Sequence, residues 1–278
     1  MCSTGIARLK APHFCLSVTN YECFAPVGPV TNQTSTIMNS YVLGETADAQ
    51  CPFEAANGMN AFAWFSQEPE LAGHPFNQAM SIITMGQEDA IVQSYDWSQF
   101  AGKTIVDVGG SHGRVVAAIQ KAFPDTSCVN FDLEEVLQDL SPAEKADNIE
   151  YVAGDMFDPS TFPKNCDVIY MKSILHDWSD EYSMKILQSC RQALADRTED
   201  GGTVIVSDQV VPNAREAQDN PQDAAMTFQV DMIMMQIKGK ERTRQQWEAL
   251  ADAGGFVVTD ITIPPKPAMP FITMKPKD

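Results

Sequence analysis

The sequence predicts a doubly wound α/β fold, in which a mostly parallel sheet carries helices on both faces. Three observations predict it. Short β-branched runs alternate with helical stretches after Trp97, the first run ends in a glycine turn that opens a helix, and acidic residues close the next two runs. With 278 residues and 44% apolar content, the chain can bury one substantial core and a smaller helical appendage.

Residues 1–50 mix Thr, Asn, Pro and Cys without periodicity, and Pro26, Gly28 and Pro29 punctuate residues 24–30. Over residues 55–95, Met59, Phe62 and Phe65, then Phe76, Met80 and Ile83, recur at helical spacing and predict two or three helices. Residues 1–97 therefore read as an irregular and helical lid or dimerisation region, and residues 98–278 as the ligand-binding domain. Within the latter, residues 104–108, 127–131, 149–152, 167–171 and 203–207 read as buried strands. Helices are predicted between them at 113–123, 133–140 and 180–195. Residues 256–263 and 271–275, joined by a Pro-rich turn, predict a closing antiparallel hairpin.

Composition excludes several classes of function. A formal net charge of −18 disfavours nucleic acid, which is bound through clustered Lys and Arg. The seven cysteines (Cys2, Cys15, Cys23, Cys51, Cys128, Cys166, Cys190) are odd in number and form no CxxC pair, which argues against a disulfide framework or a zinc site. No stretch approaches the roughly 18 apolar residues of a membrane span, and the first thirty residues hold no continuous apolar run. A cytoplasmic protein with no membrane partner is expected.

Thr104-Ile-Val-Asp-Val-Gly-Gly-Ser-His-Gly113 sets a strand before glycines and a helix start, where Gly109 and Gly110 let backbone approach a ligand. The pattern departs from GxGxxG, which disfavours a nicotinamide dinucleotide. Asp132 closes the second strand, where an acid accepts from both ribose hydroxyls, although capping the helix that begins near Leu133 is the simpler role. Asp155 follows the third strand in Gly154-Asp-Met-Phe157, where it can accept from an adenine amine while Met156 packs on the ring. His176 follows the fourth strand. A lone histidine is more often structural than catalytic, but its place beside the ligand edge favours chemistry.

DVGGSHG, NFDL, GDMF, MKSILHDWSDE and GKERT, in this order, resemble the S-adenosylmethionine-dependent O-methyltransferases that modify phenolic and polyketide metabolites in plants and fungi. The resemblance covers roughly residues 50–278, and Ser111, where plant members commonly have glycine, is similar to the fungal branch. It implies a Rossmann-like methyltransferase sheet with S-adenosylmethionine as cofactor. Gly109, Gly110, Asp132, Asp155, Met156, Phe157 and Lys172 then fall at cofactor-binding positions. It gives His176 the role of general base, with Asp208, where the family usually has Glu, and Glu241 as acids that orient the imidazole. Without the resemblance, Glu241 reads equally as a surface ion pair with Arg242 or Lys240. Phe76, Met80 and Met234 match acceptor-contact positions, for which ordinary core packing is the alternative.

The expected function is methylation of a hydroxyl on a small aromatic molecule. The acids are spaced for ribose, adenine and histidine rather than gathered as an oxygen cage, so no metal site is expected. Two rivals stand beside it: a relative that uses the cofactor for an elimination or pericyclic reaction, and an inactive methyltransferase-like partner subunit. The family carries a larger N-terminal helical part, of which residues 1–97 look like a shortened version, and the apolar face of Phe62, Phe65, Phe76 and Met80 favours a homodimer over the alternative that it covers the carboxyl edge of the sheet within one chain.

Overall fold

The computed structural model describes residues 51–67, 76–77, 80, 82, 84–195 and 202–277. The sequence readings at Cys2, Cys15, Cys23, Pro26, Gly28, Pro29 and Ile83 lie outside the described residues.

A seven-stranded sheet runs in the order β3-β2-β1-β4-β5-β9-β8. Its strands are β1 (Thr104–Val108), β2 (Ser127–Asp132), β3 (Glu150–Ala153), β4 (Val168–Lys172) and β5 (Thr203–Ser207), followed by β8 (Phe256–Thr262) and β9 (Phe271–Pro276). The first five pair in parallel, whereas β9 runs antiparallel between β5 and β8. A short parallel pair, β6 (Val210–Val211) with β7 (Arg242–Thr243), lies apart from the main sheet.

The period of two along β1 sorts side chains between two cores. Val106 and Val108 join Ile169, Met171, Val204 and Val206 under α6 (Asp180–Leu194) and α9 (Arg244–Ala253), which contribute Ile186, Leu187, Trp247 and Leu250. Ile105 faces the other way, with Val168, Tyr170 and Ile205, against Val115, Val116 and Ile119 of α4 (Arg114–Ala122). Ile91 of α3 (Glu88–Ser94) and fully buried Trp97 belong to that second core. The packed unit around the sheet thus begins before residue 98.

The remaining helices are α1 (Pro52–Asn57), α2 (Ala61–Gln67), α5 (Glu134–Gln138), α7 (Ala214–Asp219) and α8 (Pro221–Met235). A Thr243/Gln246 capping box starts α9, and an Asn213/Glu216 box starts α7. Strand order reverses between β1 and β4, so the crevice at their carboxyl ends is where a sheet of this kind receives a ligand.

Candidate active site

The ends of β1, β2, β3 and β4 build one half of the crevice. After β1, Gly109 takes φ 72°, Ser111 φ 51° and Gly113 φ 71°, a left-handed course that turns the chain into α4. The turn lies directly on its neighbours: a Cβ at Gly110 would overlap Asn130 Oδ1 and come within 2.7 Å of Asp107 Oδ2. Asn130, paired with Asp107 in register, donates from Nδ2 to the Ser111 carbonyl at 2.8 Å. Its buried Oδ1 has no partner. The Ser111 and Leu133 amides each donate to one oxygen of Asp132 at 2.8 Å. Both oxygens keep a lone pair for a further donor, so the Leu133 contact and a ribose contact are compatible. Burial pushes the Asp132 carboxyl up to about 6 against those two amides.

Gly154 donates to the Asp132 carbonyl at 3.0 Å, which sets the β3 end beside the β2 end. There the exposed Asp155 accepts from the Phe157 amide at 2.9 Å. Met156 and Phe157 pack against the core from the rim. Lys172 closes β4 and donates to Thr84 Oγ at 3.3 Å; burial lowers its pKa while Asp107, Asp208 and Glu88 oppose the shift.

The other half is the 3₁₀ turn Leu175–Asp177, which presents buried His176. Its ring Nδ1 lies 2.8 Å from Glu241 Oε1, and its Nε2 lies 3.6 Å from Asp177 Oδ1. The main chain is held as firmly as the ring. His176 N–H donates to Asp208 Oδ2 at 3.2 Å, and its carbonyl accepts from Lys240 N–H at 2.9 Å. Asp208 follows β5, Glu241 precedes β7, and the β6–β7 pair joins these two segments on either side of the turn. Burial alone would lower the imidazole pKa, but Asp208, Asp177 and Glu241 together raise it to about 10. Asp177 is itself pushed up to about 7 by burial, against His176. Asp208 Oδ1 and Glu241 Oε2 are buried without partners.

The chain matches the O-methyltransferase domain model over residues 39–257. It belongs to the O-methyltransferase family. It is 37% identical over 261 residues to caffeic acid 3-O-methyltransferase 1 of Ocimum basilicum, covering 91% of this chain and 68% of that protein. It is 38% identical over 216 residues to myricetin 3-O-methyltransferase 3 of Solanum habrochaites, covering 77% and 56%. Probable O-methyltransferase 3 of Humulus lupulus, at 36% identity over 214 residues, is covered over 54% of its length and this chain over 76%. The chain spans little more than half of several such relatives. Among solved structures, LaPhzM superposes with a TM-score of 0.74 at 26% identity, over 90% of this chain and 72% of that one. NcsB1, crystallised with S-adenosylmethionine and 2-hydroxy-5-methyl naphthoic acid, has a TM-score of 0.70 at 23% identity, over 90% and 70%; that likeness is one of fold.

In this O-methyltransferase chain, Asp132, the glycine turn, Lys172, His176 and Asp208 stand at the carboxyl ends of strands or in the segments that follow them, and Glu241 reaches His176 from just before β7. Glu241 is buried against His176 rather than paired at the surface, and Arg242 pairs with Asp180. Asp208 reaches the His176 backbone at 3.2 Å and not the ring: an Asp stands where the resemblance implies the longer Glu. Phe76 stacks on Phe65 at 4.5 Å, and Phe62 stacks on Trp178 at 4.9 Å, so all three aromatics of the face proposed for a second copy are engaged within the chain. Met80 and Met234 are partly buried. Sequence reasoning missed Asp177 and Arg242. The acid beside His176 was visible in HDW, but nothing local signals that Arg242 is fully buried. Among the described residues, no group of His, Cys, Asp and Glu is gathered to hold a metal ion, and no helix is long and apolar enough to cross a membrane.

Proposed function

We propose that this chain is an S-adenosylmethionine-dependent O-methyltransferase acting on a hydroxyl of a small aromatic metabolite, with His176 as general base. The observation that carries the reading is the His176–Glu241 couple beside the glycine and Asp132 cradle, on one edge of the sheet. The relatives' names, caffeic acid and myricetin 3-O-methyltransferase, support a phenolic acceptor.

The residues fit the cofactor. Asp132 would offer a lone pair on each oxygen to the ribose hydroxyls, the Gly109–Gly110 turn would face the methionyl part, and Asp155, Met156 and Phe157 would hold the adenine. Lys172, whose charge acts on Asp107 beneath the turn, would serve as a counter-charge to the cofactor carboxylate. When bound, S-adenosylmethionine supplies a methyl group activated by a sulfonium.

His176 takes the acceptor's hydroxyl proton at Nε2 while Glu241 holds Nδ1–H. Asp208, Asp177 and Glu241 raise the proton affinity of the imidazole toward that of a phenol, which eases removal of the hydroxyl proton as the methyl is transferred; the reacting form is the neutral ring, so turnover is expected to rise with pH. The imidazolium that forms is stabilised by Glu241, Asp177 and Asp208. Phe62, Phe65, Phe76 and Trp178 provide an apolar aromatic wall against which a flat acceptor can lie.

Incubation with methyl-labelled S-adenosylmethionine and a panel of simple phenols, catechols and naphthols, with EDTA present, tests the reading. Label is expected on oxygen of at least one acceptor. Cofactor consumption without a methylated product would favour an eliminase or pericyclase, and cofactor binding without any turnover would favour an inactive partner subunit.

A further inference from the structure

We infer that Arg242 is a positioning residue for the reaction proposed above, because it locks both ends of the turn that presents His176. Its guanidinium is fully buried and donates four hydrogen bonds. Nη1 reaches the Leu175 carbonyl at 2.8 Å and Nη2 the Trp178 carbonyl at 2.9 Å, so the two acceptors bracket His176 and Asp177. Nη2 also donates to Ser183 Oγ at 3.0 Å, and that hydroxyl stands 3.1 and 3.2 Å from the same two carbonyl oxygens, between which its single proton is shared. Nε donates to Asp180 Oδ1 at 3.0 Å, and the guanidinium carbon stands 5.3 Å over the Trp247 ring.

Only a planar fork of N–H groups can serve these acceptors together; a lysine ammonium in the same place is a point donor. Neighbouring residues of one segment then divide the work. Lys240 N–H holds the His176 carbonyl, Glu241 holds the ring, and Arg242 holds the carbonyls on either side. Arg242 meets the proposed acceptor wall only at the Trp178 backbone carbonyl and no proposed cofactor residue, so its effect on proton removal passes through the turn that carries His176. The groups that set the titration of that imidazole are Asp177 on its own turn, Asp208 from the segment after β5 and Glu241 beside β7.

The inference rests on the proposed reaction, and the Arg242→Lys variant tests it with readouts that a purely structural role leaves alone. In proton NMR of the complex with S-adenosylhomocysteine, the Nδ1–H of His176, assigned by its loss in His176→Ala, is expected downfield in the wild type and broadened or lost in Arg242→Lys. Turnover is expected to fall about ten- to a hundredfold with KM for the cofactor held within about twofold, and the acid limb of the pH profile to move to lower pH as the imidazole loosens from Glu241. A variant that keeps the wild-type resonance, kcat and pH profile while only its melting temperature drops overturns the inference. If Arg242→Lys does not fold, Asp180→Asn decides in its place, since that surface carboxylate anchors Nε; a smaller shift in the same direction supports the inference, and wild-type behaviour in all three readouts overturns it. Should the wild type methylate no phenol, the proposed function falls, yet the resonance comparison still decides whether Arg242 holds the His176–Glu241 pair.

Discussion

Glu241 Oε1 stands 2.8 Å from His176 Nδ1, whereas the other candidate acid, Asp208, reaches only the backbone N–H of the same histidine. The two acids are therefore not equivalent. Glu241→Gln removes the charge that holds the ring and stabilises its protonated form, so turnover is expected to fall about 10²- to 10⁴-fold. Asp208→Asn keeps an acceptor for the backbone N–H and is expected to cost far less. Both carboxylates raise the imidazole pKa, so both variants should move the acid limb of the rate profile to lower pH. Equal losses in the two variants across a pH–rate series would show that the contact to the ring is not the decisive one.

Asp132→Ala leaves the Ser111 and Leu133 amides without their acceptor and removes the proposed ribose contact. Affinity for S-adenosylhomocysteine is expected to drop by about 2 kcal/mol or more, read by titration calorimetry. An unchanged affinity would remove Asp132 from the cofactor site and leave it as a helix-start residue.

Gly239→Ala tests how closely the segment before β7 is seated on the turn that carries His176. An added Cβ would overlap the His176 carbonyl oxygen and stand 2.9 Å from the Asp177 carbonyl carbon, both of them backbone. The expected outcome is a loss of about 1–3 kcal/mol of stability in denaturant melts together with reduced turnover. Wild-type stability and turnover in this variant would mean that the turn gives way freely.

Legibility followed the strength of local signals. The strands were readable because continuous apolar runs such as Val168–Lys172 and Thr203–Ser207 are buried on both faces; their ends agree with expectation to within a residue or two. α8 was not anticipated. Ala224, Phe228 and Met232 lie on one side of it and Met226, Val230, Ile233 and Met234 on the others, so apolar residues surround the helix and no single face stands out, and Met226, Phe228 and Met232 remain exposed. The capping box that starts α9 lay inside GKERT and its next residues, where the motif drew the reading toward function instead. The division of labour between Glu241 and Arg242 depends on the β6–β7 pair, a two-residue contact across distant segments that no local pattern encodes.

Asp107 carries a pH signature. It is buried under the glycine turn, and burial pushes its carboxyl up to about 7, although Lys172 opposes the shift. A carboxyl raised in the folded state is protonated in both states below about 4 and costs nothing there; as pH rises toward 7 the unfolded state ionises first, and stability is lost. The melting temperature of the wild type is therefore expected to fall relative to Asp107→Asn as pH rises from about 4 to about 7, and the two curves should run parallel above that. Parallel curves throughout would place the titration of Asp107 elsewhere.

The most direct test of the central claim is methyl transfer by His176→Ala, measured with labelled S-adenosylmethionine beside calorimetric binding of the same cofactor. The proposed base acts on the acceptor and not on the cofactor. Turnover is expected to fall about 10²- to 10⁴-fold while cofactor affinity stays near the wild-type value. Undiminished methyl transfer by His176→Ala would contradict the account.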